Sequence, residues 1–246
     1  MSNKLLIIIV LFMFSVVSAQ ELPETPSVSP ARAALNSARD LVVAGKPDEA
    51  VAVLQQLADS GFTAVNAITG DAALSALAGR PDFDALVDEM SALAYPCEHD
   101  PRFSEFDFWV GTWDVHVADG TLAGSNRIVR EERGCLLSEY WTSARGGTGR
   151  SINYHDDARD EWVQIWNDAS GSQINIRGGL TDDGMLLVGT IHYVASDTTF
   201  PFRGLWTPLE DGRVRQFFEQ SNDNGVTWTP WFEGFYTRQS TDGKEQ

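Results

Sequence analysis

Between Trp109 and Arg238 the sequence changes character roughly every ten residues, and this rhythm constrains the fold more than any other feature. Short runs rich in β-branched and aromatic side chains stop at pairs such as Asp119-Gly120, Gly146-Gly147, Asp183-Gly184, Asp211-Gly212 and Asn224-Gly225. Gly and Asn tolerate the positive φ that tight hairpins demand, so each pair reads as a point of chain reversal. The punctuation predicts ten strands: 109–118, 122–133, 135–143, 149–156, 161–168, 172–180, 185–195, 199–207, 213–221 and 228–237. No helical period separates them, so neighbours in sequence must pair antiparallel. Such a run forms an up-and-down barrel or a sandwich, and a barrel is favoured because closure leaves no unpaired edge.

Upstream the period is helical. In "ARAALNSARDLVVAG" the residues Ala34, Leu35, Ala38, Leu41 and Val42 share one face, and Gly45 suits a helix stop. "KPDEAVAVLQQLADSG" restarts with Pro47 and acidic residues in its first turn, which favours the positive end of the helix dipole. Ala50, Val53, Leu54 and Leu57 then repeat at helical spacing. A helix, a short turn and a second helix make an αα-hairpin. The expected class is therefore α+β, with a helical region over 31–94 and a β domain over 97–238. Residues 20–30 hold three Pro and almost no core-forming side chains, and read as a disordered leader. Residues 239–246 read as a disordered tail.

The first nineteen residues carry one Lys at Lys4, an apolar run from Leu5 to Val17 and small residues ending at Ala19. That layout is expected of a secretory signal peptide. The run is short for the ~30 Å of a bilayer core, so no membrane attachment is expected after cleavage. A secreted or periplasmic location gives Cys97 and Cys135 a partner in each other, the alternative being two buried thiols. The two lack the clustering a zinc site needs. Formal net charge is −17, from 35 acidic and 18 basic residues. Such a surface repels phosphate backbones, so no nucleic-acid partner is expected.

Two resemblances add to this. Residues 31–94 resemble a single tetratricopeptide-type unit followed by a terminal helical unit, "GDAALSALAGRPDFDALVDEM". That implies a possible protein partner through 31–94, or else a helical cap on the neighbouring domain. Residues 97–238 resemble a family of secreted bacterial proteins of unassigned role with the opening "FDFWVGTWDV", and further matches at "GCLLSEYW", "EWVQIW" and "FEGFY". The Gly-x-Trp of that opening is similar to the first strand of lipocalin-type, or calycin, barrels. The resemblance implies an antiparallel calycin-like barrel that cups a small, partly apolar ligand. It names no ligand and no cofactor.

Strand alternation sorts candidate faces. Trp113, Val115 and Val117 share one face, with Asp114 and His116 on the other. Leu137, Glu139 and Trp141 share a face, as do Trp162, Gln164 and Trp166. Arg215, Phe217 and Glu219 oppose Gln216 and Phe218. The residues expected to line one cavity are Trp113, Glu139, Trp141, Trp162, Gln164, Trp166, Arg203 and Arg215. Aromatic walls with a few convergent polar groups describe a small-molecule site. The alternative is a filled core in which Arg203 or Arg215 pairs with Glu139 or Glu219.

An enzyme using Glu, Arg and one of Tyr140, Tyr154 or Tyr193 for acid–base chemistry is a second alternative, although G-x-S-x-G and H-E-x-x-H motifs are missing. Haem would need an inward histidine. His192 has no assigned direction, and His155 lies at the edge of "HDDARDE", which reads as a solvated hairpin loop. Finally "SNDNGVTW" resembles the Asp-box of sialidase propellers. Propellers repeat their blades, and no second copy is present, so Asp223, Asn224 and Gly225 are expected simply to form a hairpin tip.

Overall fold

The computed structural model describes residues 29–239. The expected signal peptide, nearly all of the leader and residues 240–246 of the tail lie outside them. Ser29 accepts a hydrogen bond from the Arg32 amide and caps α1 (Pro30–Val43), with Pro30 at the first helical position. The helix therefore starts just before residue 31. Gly45, at φ +73°, turns the chain into α2 (Pro47–Asp59). Leu35 and Ala38 of α1 meet Ala50, Val51, Leu54 and Leu57 of α2. Val51 is thus buried where the expected face had Val53, which is only partly buried. α3 (Asn66–Thr69), a 3₁₀ turn at Leu74–Leu77 and α4 (Pro81–Ala94) close this unit, with Ile68, Leu74, Leu77, Phe83, Leu86 and Met90 in one core. Arg39 pairs with Asp71 at 2.6 Å and ties the third helix's exit to α1.

This helical core shares no residue with the core of the second domain. The link is α5 (Pro96–His99) followed by 3₁₀ turns at Pro101–Ser104 and Asp107–Trp109. Phe103, Phe106 and Trp109 of this segment are buried, Phe106 and Trp109 in the barrel core and Phe103 against His155. This corrects the expected start of the first strand at 109.

Ten antiparallel strands then close into a barrel in the order β1-β10-β9-β8-β7-β6-β5-β4-β3-β2. They are β1 (Gly111–His116), β2 (Leu122–Glu131), β3 (Leu136–Ser143), β4 (Thr148–Asp156), β5 (Glu161–Asp168), β6 (Ser172–Thr181), β7 (Gly184–Tyr193), β8 (Thr198–Pro208), β9 (Val214–Gln220) and β10 (Thr229–Arg238). Every expected strand is present within a few residues. Sandwich closure is excluded, because β1 pairs with β10 in register Trp113 with Arg238 through His116 with Phe235.

One end of the barrel is plugged. Phe106 stacks on Trp109 with centroids 5.0 Å apart and meets Trp162 and Trp206 edge-on at 5.6 and 5.3 Å. The plug is fastened by the Cys97–Cys135 disulfide, by Arg130 to the Asp107 carboxylate, and by Arg130 to the Cys97 carbonyl at 3.0 Å. Arg133 also lies over the Tyr95 ring at 3.6 Å, joining the helical unit to the β2–β3 turn. Among the described residues no helix is long and apolar enough to cross a membrane.

Candidate functional site

The opposite end of the barrel is open, and a cavity of about 280 Å³ enters it between the β3–β4 and β5–β6 turns and the first half of β10. Strand alternation supplies its walls. Trp141 of β3 and Trp166 of β5 stand on one side, with Phe218 of β9 and Phe232 of β10 on the other. Trp231 joins them because the β9–β10 register shifts between Pro230 and Phe232. A bulge there lets two successive side chains face the same space. Glycines on neighbouring strands make room for the rings. A Cβ at Gly149 would overlap the Trp166 indole, and one at Gly124 would press on Trp141.

The floor is polar. Glu139 is 4% exposed and accepts from two neutral donors, Asn126 Nδ2 on Oε1 and Ser151 Oγ on Oε2, both at 2.6 Å. Asn126 Nδ2 also donates to Tyr236 Oη at 3.1 Å, and Tyr236 donates in turn to Gln216 Oε1. On the other flank Asn153 donates to Ser151 Oγ at 2.8 Å and to the Leu137 carbonyl at 3.0 Å, and receives Gln164 Nε2 at 2.8 Å. The network satisfies most of the polar groups buried there, with Asn126 Oδ1 left without a partner.

Its charge balance is unusual. Among the described residues no Lys, Arg or His lines the cavity, so none of them answers the Glu139 carboxyl. Burial pushes that carboxyl up to about 7, against the lowering effect of Ser151 and Asn126. Burial, with the Glu139 charge adding to it, also pushes the Tyr236 phenol well above its usual range, so the phenol stays a neutral donor. At the rim, burial works against the Asp168 charge, but hydrogen bonds from Ser170 and Ser172 outweigh it and hold the group below the usual carboxylate range.

Of the eight residues expected to meet, Glu139, Trp141, Gln164 and Trp166 line the cavity. Trp113 and Trp162 point inward but lie deeper, in the packed core beneath it. Trp113 donates to the Trp109 carbonyl at 2.9 Å, and Trp162 donates to Glu105 at 3.2 Å. Arg203 and Arg215 are corrections. In β9 the less polar pair Gln216 and Phe218 turns inward, so Arg215 and Glu219 must turn outward. Arg203 sits opposite Glu219 in register and binds it at 2.7 Å on the outer face, under the Trp228 ring. Arg215 binds Glu233 at 2.7 Å, also outside. The arginine–glutamate pairs exist, but on the barrel's exterior, and Glu139 is in neither.

The histidines fall elsewhere too. His155 is a correction: its side chain is 3% exposed, packed edge-on against Phe103 at 5.2 Å and Trp162 at 6.0 Å near the plug. Strand β4 continues to Asp156, which places His155 on the inner face rather than in the loop. His192 faces outward, with Nδ1 2.9 Å from Thr199 Oγ1. None of the four histidines lines the cup, which leaves a histidine-ligated haem without its ligand there. Among the described residues no cluster of His, Cys, Asp and Glu is placed to hold a metal ion. The tyrosine near Glu139 is Tyr236, not Tyr140, Tyr154 or Tyr193. Tyr140 lies outside between Arg127 and Arg150, whose guanidinium carbons are 4.1 and 4.2 Å from its ring centre.

"SNDNGVTW" is the β9–β10 hairpin tip. Asp223 accepts from Ser221 Oγ at 2.8 Å, the Thr227 amide at 2.7 Å and Thr227 Oγ1 at 2.6 Å. Asn224 and Gly225 take φ of 57° and 89°. The Thr227 bonds, then Ser221, hold the Asp223 carboxyl down at about 2. No family model matches the chain, and neither does any curated protein.

Proposed function

We propose that the barrel binds a small, partly apolar molecule that enters at the open mouth and settles on the Glu139 floor. The observation that carries this reading is the cavity itself: aromatic on its walls, polar at its base, and open at one end while the other is plugged. The calycin-like opening "FDFWVGTWDV" points the same way, and the Cys97–Cys135 bridge suits an oxidising compartment such as the periplasm or the exterior. On this reading the helical unit, with its own core, is an appended module and not the lid of the cup.

The test is native mass spectrometry of the protein isolated from its own source, paired with ligand panels of lipids, haemin and polyphenols. Trp141, Trp166 and Trp231 line the cup, so occupancy changes intrinsic fluorescence. A retained small molecule or a saturable quench supports the proposal. A mass equal to the bare chain, with flat titrations across the panels, refutes it.

A further inference from the structure

The cup contains a buried carboxyl that no cation among the described residues balances. Glu139 is almost fully buried, lines the cavity, and is held only by neutral donors. A carboxylate offers about four acceptor sites, and two are filled. A buried carboxylate without a cation is either protonated or waiting for a cation from outside. The two arginines of the β3–β4 hairpin do not serve. Arg145 is exposed at the tip of the β3–β4 turn, and Arg150 is stacked on Tyr140 outside the barrel.

Three further observations agree on the sign of the missing partner. Asp168 adds a second carboxylate at the rim. The walls are indole and phenyl rings, whose faces attract cations. The net charge of −17 raises the concentration of small cations near the mouth and lowers that of anions.

We propose that the ligand is an organic cation: an ammonium group on an apolar body, with the charge at Glu139 and the body between Trp141, Trp166 and Trp231. This rests on the reading of the barrel as a ligand cup, and it adds the ligand's charge. The amine's N–H groups take the unfilled carboxylate sites, and the aromatic rings screen the charge from water.

The experiment uses the full chain and three probes that share a phenylethyl body: 2-phenylethylamine, 2-phenylethanol and 3-phenylpropanoate, titrated by calorimetry at pH 7.5. The ammonium is expected to bind at least tenfold more tightly than the alcohol or the carboxylate. Glu139→Gln is expected to weaken the amine at least tenfold and leave the alcohol within threefold. Because a floor variant can disturb packing, the alcohol's affinity reports whether Glu139→Gln keeps the cup, and Trp231→Leu serves as a control variant. It keeps an apolar side chain but removes an indole that packs on Phe202 and Phe218 and donates to Tyr193, and because that ring faces the ligand's body, amine and alcohol are expected to weaken alike. If the alcohol or the carboxylate binds as tightly as the amine, the charge assignment is overturned and the cup stands. If Glu139→Gln leaves the amine's preference intact, the assignment is likewise overturned. If none of the three probes binds, the charge assignment is overturned, and the cup stands or falls by the mass spectrometry and the ligand panels.

Discussion

Replacing Glu139 with Gln should make the barrel's stability less dependent on pH. The carboxyl's proton affinity in the folded chain is raised by burial from the ordinary 4.5 to about 7. Between those values the folded protein holds a proton that the unfolded chain has released, so stability falls as pH rises. The loss begins near the unfolded value and is complete above the folded one. At ~1.4 kcal/mol for each tenfold change in proton affinity, it amounts to roughly 3 kcal/mol. Gln is nearly isosteric, does not titrate, and still offers an oxygen to Asn126 Nδ2. Every other titrating group is common to both proteins and cancels in the comparison. Asp168 stays ionised and Tyr236 neutral throughout. The assay is urea unfolding from pH 5 to pH 8, followed by Trp fluorescence. All eight Trp lie between Trp109 and Trp231, so the signal reports the barrel and not the helical unit. With slopes of about 1–3 kcal/mol per molar urea, the midpoint of Glu139→Gln relative to the parent should rise by ~1 M or more across that range. A difference that stays constant with pH would show that Glu139 does not keep its proton, and the reasoning about the uncompensated floor would fail with it.

Three further outcomes follow from the geometry. Gly149→Ala places a methyl against the Trp166 indole and should push the ring into the cavity. Titration with 2-phenylethylamine should then show weaker binding, with a shift in Trp emission even before ligand is added. Removing the Cys97–Cys135 bridge frees a loop of 38 residues and should cost about 3–4 kcal/mol, measured by urea unfolding with and without reductant. Asp223→Ala removes the acceptor for both Thr227 bonds at the hairpin tip, so the thermal midpoint should fall while ligand affinity stays unchanged; the reverse pattern would make the tip part of the site.

The fold was legible because hairpin chemistry is local. Gly120, Gly146, Gly147, Gly184, Gly212 and Gly225 all take positive φ at the expected reversals, and each strand lies between two of these or similar turns. The pairing of Cys97 with Cys135 was legible too, since only two cysteines exist. Closure of β10 onto β1 is not local. It follows from the sheet having no other way to lose its edges. What local patterning missed lies at the exceptions to it: the 3₁₀ plug and the bulge that brings Trp231 in beside Phe232.

The site was half legible for a similar reason. A period of two says which residues of one strand share a face, but not which face is inner. For β9 the choice was between Arg215 with Glu219 and Gln216 with Phe218, and the inner face went to the pair without formal charge. Burying two arginines would have required two fully desolvated ion pairs. Placing them outside keeps the same Arg203–Glu219 contact at the surface, where water shares the cost. The same reasoning would have argued against an inward Glu139, yet Glu139 is inward, because Leu137 and Trp141 fix its strand's orientation and Asn126 and Ser151 supply donors. Where the apolar pattern and the charge rule agree, as in β9, the sequence decides the face. Where they conflict, as in β3, the apolar pattern prevails and leaves a charged group inside. Such conflicts are expected at functional positions, and Glu139 is a buried conflict of this kind that opens onto the cup.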